Sequence, residues 1–212
     1  MELTDHQKDS LSELINIAFS RTAASLSALT GHRVLLDVPK VAIHPIDQLS
    51  TALGEFLPAE VATVHQVFTG AVTGDALLLL NYDGAVILKD LLTDHSVPTN
   101  RLDESDREVL TEVGNILLNA CLGMFSNLLQ VHVSFSVPRL HLETLDMLLK
   151  TLVIGKEGLR YALVVYTAFR LRDSAVKGFL VIALNVASLD RLIQEAENWE
   201  GRQGNPALLR EV

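Results

Sequence analysis

Glu13-Leu14-Ile15-Asn16 and Glu112-Val113-Gly114-Asn115 are two copies of one short pattern, and each is followed, 23 positions after its asparagine, by a proline, Pro39 or Pro138. Both copies read Glu-x-x-Asn, then 22 residues, then Pro. Reading outward, Val34-Leu35-Leu36-Asp37-Val38-Pro39 parallels Val133-Ser134-Phe135-Ser136-Val137-Pro138. Farther on, Gly74-Asp75-Ala76-Leu77-Leu78-Leu79-Leu80 parallels Gly178-Phe179-Leu180-Val181-Ile182-Ala183-Leu184, and an amphipathic stretch follows each, at 84–93 and 188–198. The offset is 99 at the start (13 to 112) and 104 near the end (74 to 178). An ordered series of matches with a small insertion is the signature of an internal duplication.

Each half reads as long helix, strand, short irregular or helical segment, two strands, helix. The long helices are expected over 9–30 and 103–129. Asp103 or Ser105 caps the second, and Gly31 ends the first. Runs rich in Val, Leu and Thr predict strands at 33–38, 61–69, 72–82, 131–137, 159–171 and 176–186. Pro39 and Pro138 stop theirs, having no N–H to donate. Residues 94–102 read as a linker and 199–212 as a loose C-terminal tail. Two strand-rich halves would each leave a sheet edge open, and joining them covers those edges. The expected fold is therefore α+β: one internally duplicated, pseudo-twofold domain. Its repeats run over roughly 1–95 and 103–198. A single, mostly antiparallel sheet of about six strands carries the two long helices.

Composition limits the function. Of 212 residues 49% are hydrophobic and 20% charged, as in a folded globular chain, and the formal net charge is -9. An acidic surface repels phosphate backbones and anionic membranes, so neither nucleic acid nor a membrane is an expected partner. A single cysteine, Cys121, excludes an internal disulfide and a cysteine metal site. The polar, acidic start is unlike a signal peptide, and apolar runs such as Ala76 to Leu80 are far too short to span a bilayer. A cytoplasmic protein is expected. The histidines, His6, His32, His44, His65, His95, His132 and His141, show no metal-ligand spacing. No Walker, dinucleotide or Gly-x-Ser-x-Gly motif occurs. Segments 46–57 and 145–152 are apolar enough for core packing or for a docking helix.

On a helical wheel Leu11, Ile15, Ala18, Thr22, Leu26 and Leu29 form a core stripe, and Leu110, Val113, Leu117, Cys121, Phe125 and Leu128 form another. Asp9, Glu13, Asn16 and Ser20 lie opposite the first, and Glu108, Glu112, Asn115 and Asn119 opposite the second. Glu and Asn at i and i+3 are surface neighbours. A solvated helix face is the plain reading of such a ridge. Asparagine argues otherwise, because its side chain competes with helical hydrogen bonds and a mid-helix Asn without a capping role costs stability.

With the flanking acid the pattern becomes Asp/Ser-x3-Glu-x2-Asn-x22-Pro, twice. It resembles the signature of the CheC/CheX/FliY family of CheY-phosphate phosphatases. Asp9, Glu13, Asn16 and Pro39 fit fully. In the second copy Glu108 stands where the family has Asp or Ser, before Glu112, Asn115 and Pro138. The second copy keeps the Gly-Asn pair of the family, Gly114-Asn115, whereas the first has Ile15-Asn16. Two copies without a further switch domain resemble the CheC branch.

The resemblance implies hydrolysis of the aspartyl phosphate of a CheY-like response regulator. Asn16 and Asn115 would orient the attacking water, and Glu13 and Glu112 would pair with a lysine of the partner. The chain would need no cofactor or metal of its own, Mg2+ being supplied by the phosphorylated receiver. A CheD-like deamidase is a further partner the resemblance allows. The rivals are a non-catalytic receiver- or CheD-binding module with the same fold, and a structural piece of the flagellar switch.

Overall fold

The computed structural model describes residues 3–31, 33–54, 56–57, 60–93, 101–155, 161–171 and 174–203. The first half runs α1 (Asp5–Thr30), β1 (Val34–Leu36), β2 (Lys40–Pro45), α2 (Leu49–Gly54), β3 (Glu60–Gly70), β4 (Gly74–Asn81) and α3 (Tyr82–Thr93). The second repeats that order: α4 (Glu104–Leu129), β5 (Val133–Phe135), β6 (Arg139–Thr144), α5 (Leu145–Gly155), β7 (Tyr161–Leu171), β8 (Ser174–Leu184) and α6 (Val186–Gln203). The α6 helix continues to Gln203, into the stretch expected as a loose tail. The rest of that stretch, and most of the expected linker, lie outside the described residues.

The eight strands among the described residues belong to one antiparallel sheet, ordered β1-β7-β8-β4-β3-β5, with β2 also on β7 and β6 also on β3. The α+β architecture with one sheet is as expected, but the described residues form eight strands rather than about six. Pro39 and Pro138 interrupt pairing without ending it. After β1 the Asp37 N–H donates to the Ala168 carbonyl (3.0 Å), and after β5 the Ser136 N–H donates to that of Val67 (2.9 Å). The chain then resumes on the same neighbour as β2 or β6. The halves exchange strands: β1 and β2 of the first pair with β7 of the second, and β5 and β6 of the second pair with β3 of the first. They also join directly through β4 and β8, in register Leu78↔Leu180.

Both faces of the central strands are covered, so β4 and β8 are apolar on consecutive residues rather than alternating. Leu78, Leu80, Leu180 and Ile182 face α1, α3, α4 and α6, while Leu77, Leu79, Val181 and Ala183 face α2 and α5. The segments weighed as docking helices belong to this second core: Leu49, Leu53, Leu57, Leu145, Leu148 and Leu152 are buried in it. Helix α4 is long and apolar enough to cross a membrane by length and composition. Here Leu110, Val113, Leu117, Leu118, Cys121 and Leu122 are buried in the first core, against the sheet and neighbouring helices.

Candidate functional site

Both long helices have 26 residues and start on capping boxes, Thr4 with Gln7 and Asp103 with Asp106. In each, two orphan N–H groups of the first turn are satisfied reciprocally, which fixes where the helix begins and hence the phase of its faces. The second cap is tied down further. Asp106, buried, lies 3.5 Å from the ammonium of fully buried Lys89 on α3, which also pairs with Asp90 at 2.7 Å. Burial alone would lower the Lys89 pKa, but the hydrogen bond and charge of Asp90 and the charge of Asp106 outweigh it and hold it above the ordinary lysine value.

The buried stripes are the expected ones, with Leu11, Ile15, Ala18, Thr22 and Leu26 inside on α1 and all six residues of the expected stripe inside on α4. The ridges therefore face outward. Glu13 and Glu112 are exposed, and Asn16 and Asn115 are half-buried at the ridge edge. Each pair is brought together by one helical turn.

The two ridges differ in what holds the asparagine. On α4 the Asn115 Nδ2 donates to the Glu112 carboxylate (3.4 Å), and its Oδ1 accepts from Asn119 Nδ2 (2.6 Å). Asn119 Oδ1 accepts from Gln66 Nε2 (3.2 Å), which also donates to the Ser136 carbonyl (3.0 Å). Ser136 in turn accepts on its Oγ from the Val67 N–H. On α1 the residue four past the asparagine is Ser20, whose hydroxyl donates back to the Asn16 backbone carbonyl (2.8 Å). Among the described residues the Asn16 and Glu13 side chains have no hydrogen-bond or ion-pair partner.

Gln66 and Ser136 were not among the residues singled out from the sequence, and Asn119 was placed on the ridge without a role. Gln66 did leave a signal. On the helix-facing side of β3 the series is Ala62, Val64, Gln66, Phe68, a polar residue in an apolar register, and it is 2% exposed. The link before each proline carries an exposed valine, Val38 (74% exposed) and Val137 (83%). Cys121 is buried in the first core, which pushes its thiol pKa up. Among the described residues no group of three or more His, Cys, Asp or Glu could hold a metal ion.

No family model matches the chain. Its sequence is 24% identical over 143 residues to the flagellar motor switch phosphatase FliY of Bacillus subtilis, covering 66% of this chain and 37% of that protein. Among solved structures it matches Thermotoga maritima FliY with a TM-score of 0.74 and 21% identity, over 93% of this chain and 99% of that one. The FliM middle domain of H. pylori matches with a TM-score of 0.62 and 11% identity, over 91% and 99%.

Proposed function

We propose that this chain, a member of the CheC/CheX/FliY family by its sequence relative and shared fold, hydrolyses the aspartyl phosphate of a phosphorylated, CheY-like receiver domain. A fold alone does not choose an activity. The observation that carries the reading is the outward Glu-Asn pair, formed twice on capped helices with the asparagine at the ridge edge.

An acyl phosphate is reactive, and its hydrolysis needs chiefly a water held in line with the P–O bond to the leaving carboxylate. A carboxamide suits that task at any ordinary pH, since its oxygen accepts from the water while its N–H donates to a phosphoryl oxygen. The water oxygen bonds to phosphorus, the aspartate leaves as carboxylate, and the water's protons go to phosphate and solvent. Asn16 and Asn115 take this role, and Glu13 and Glu112 pair with a lysine of the receiver. The metal is the receiver's own. The work is positioning, as with a glutamine that orients water in GTP hydrolysis.

The test is phosphate release from an acetyl-phosphate-charged CheY-type receiver. Asn16→Ala with Asn115→Ala should abolish the acceleration while leaving the unfolding midpoint close to that of the parent. Full activity in the double variant would refute the reading. Binding without acceleration by the parent itself would instead favour a non-catalytic module.

A further inference from the structure

We infer that Gln66 and Asn119 are positioning residues that fix which way the Asn115 carboxamide faces, so that the α4 site is preorganised and the α1 site is not. The inference rests on the phosphatase reading of the ridge.

The argument is one of donors and acceptors. The chain of side chains runs Ser136 carbonyl, Gln66, Asn119, Asn115, Glu112 carboxylate. Both ends are groups that only accept, a backbone carbonyl and an ionised carboxylate. Between them stand three amides: Gln66 donates at both of its contacts through one NH2, its Oε1 having no partner among the described residues, while Asn119 and Asn115 each donate at one contact and accept at the other. The Ser136 carbonyl requires the Gln66 NH2, which also turns to the Asn119 oxygen. Asn119 must then present its own NH2 to Asn115, and Asn115 its NH2 to Glu112. Reversing any single amide sets oxygen against oxygen or NH2 against NH2. One arrangement satisfies every contact, and Gln66, buried on β3, anchors it to the sheet.

The consequence is specific. Asn115 keeps one free lone pair on Oδ1 and one free N–H on Nδ2, the two groups that an in-line water and a phosphoryl oxygen require, and each has a fixed side. A free carboxamide can turn about its last torsion and exchange the two. At the α1 site no described residue prevents this. A serine hydroxyl has one proton, and that of Ser20 is committed to the Asn16 backbone carbonyl.

The kinetic test uses the α4 site alone, in an Asn16→Ala background, with the acetyl-phosphate-charged CheY-type receiver. Asn119→Ser removes the relay. Asn119→Asp breaks it in both directions: an isosteric carboxylate has no N–H for Asn115 Oδ1, and turning Asn115 to offer its NH2 sets its oxygen against the Glu112 carboxylate, so neither direction is held. Both variants should lower kcat with KM unchanged, Asn119→Asp by on the order of tenfold or more and beyond Asn119→Ser. Equal kcat in Asn119→Asp and the background chain would overturn the inference while Asn115→Ala still abolishes activity. Full activity in Asn115→Ala would instead overturn the phosphatase reading.

A second measurement needs no activity. Side-chain amide NMR of the parent should show slowed proton exchange at Asn115, Asn119 and Gln66 relative to Asn16. Exchange at Asn115 and Gln66 as fast as at Asn16 would overturn the relay by itself.

Discussion

Gly114→Ala tests whether the α4 site is seated by close packing of helix on sheet. Gly114 lies between Glu112 and Asn115 on the opposite side of the helix. A Cβ built there would meet Val64 Cβ and Cγ1 at 2.5 Å and Cγ2 at 2.7 Å. Carbon pairs rest at about 3.5–4.0 Å, so helix or strand must yield by about 1 Å. Neither yields easily: Val64 is buried, and β3 is an interior strand held by β4 on one side and β6 on the other. Overpacking of this kind costs about 1–3 kcal/mol. Replacing a helical glycine by alanine returns about 1 kcal/mol. The net expectation is a loss of up to about 2 kcal/mol on these figures. Gly123 on the same helix is the internal control, because a Cβ there meets nothing within 4 Å. Gly123→Ala should therefore stabilise by about 1 kcal/mol. Urea unfolding gives both signs, and the m-value shows whether compactness changed. In phosphate release, a shift of about 1 Å at Asn115 should lower the α4 site's rate by up to about a hundredfold. Adding Val64→Ala to Gly114→Ala should recover stability relative to the sum of the single changes. If Gly114→Ala raised the unfolding midpoint as Gly123→Ala does, with activity kept, the reasoning would be refuted.

Lys89→Met removes the ammonium from between Asp90 and buried Asp106, and breaking such a buried pair should cost about 3–5 kcal/mol in urea unfolding at neutral pH. The pH dependence follows from a folded-state pKa held above the ordinary value. The stabilisation is complete below the ordinary lysine range and is lost as pH rises through the raised value, so the gap between parent and variant should narrow only in strong alkali. A gap that closed by pH 9 would contradict this. Cys121, buried and with its thiol pKa pushed up, should resist an aromatic disulfide reagent in the native chain and react at once in denaturing urea. Rapid reaction without urea would place it outside the core. Asp103→Ala should cost about 1 kcal/mol through loss of the α4 cap, and an unchanged midpoint would show that Lys89 and Asp106 hold the helix start without it.

Much of the fold was legible because the strongest signals are periodic. The α4 stripe from Leu110 to Leu128 fell where the wheel put it, since a helix that buries one face shows a 3.6-residue spacing whatever it packs against. Strands β2 and β6 are hidden in the sequence because Pro39 and Pro138 look like stops. A proline lacks a donor at one position only, and the backbone on either side still pairs with β7 or β3. Arg139-Leu140-His141-Leu142-Glu143-Thr144 did carry the alternation of a strand. The apolar sides of 46–57 and 145–152 could not be told from docking surfaces by sequence, because an apolar stripe does not say what covers it.

The candidate site was half legible for a reason set by the strand exchange. Glu112 and Asn115 lie one turn apart on one helix, so spacing alone brings them together. Gln66 reaches them only because β3 of the first half lies beneath α4 of the second and pairs with β5 and β6 from that same half. Aligning residues 13–39 with 112–138 compares each helix with its own following strands. It therefore cannot see a contact that each half receives from the other. Asn119 opposite Gln66 and Ser20 bonded to its own helix are small differences in that alignment. In the folded chain they decide whether a carboxamide has a fixed direction. The two ridges are thus alike in the Glu-x-x-Asn pattern that both carry and unlike in the support that the opposite half supplies.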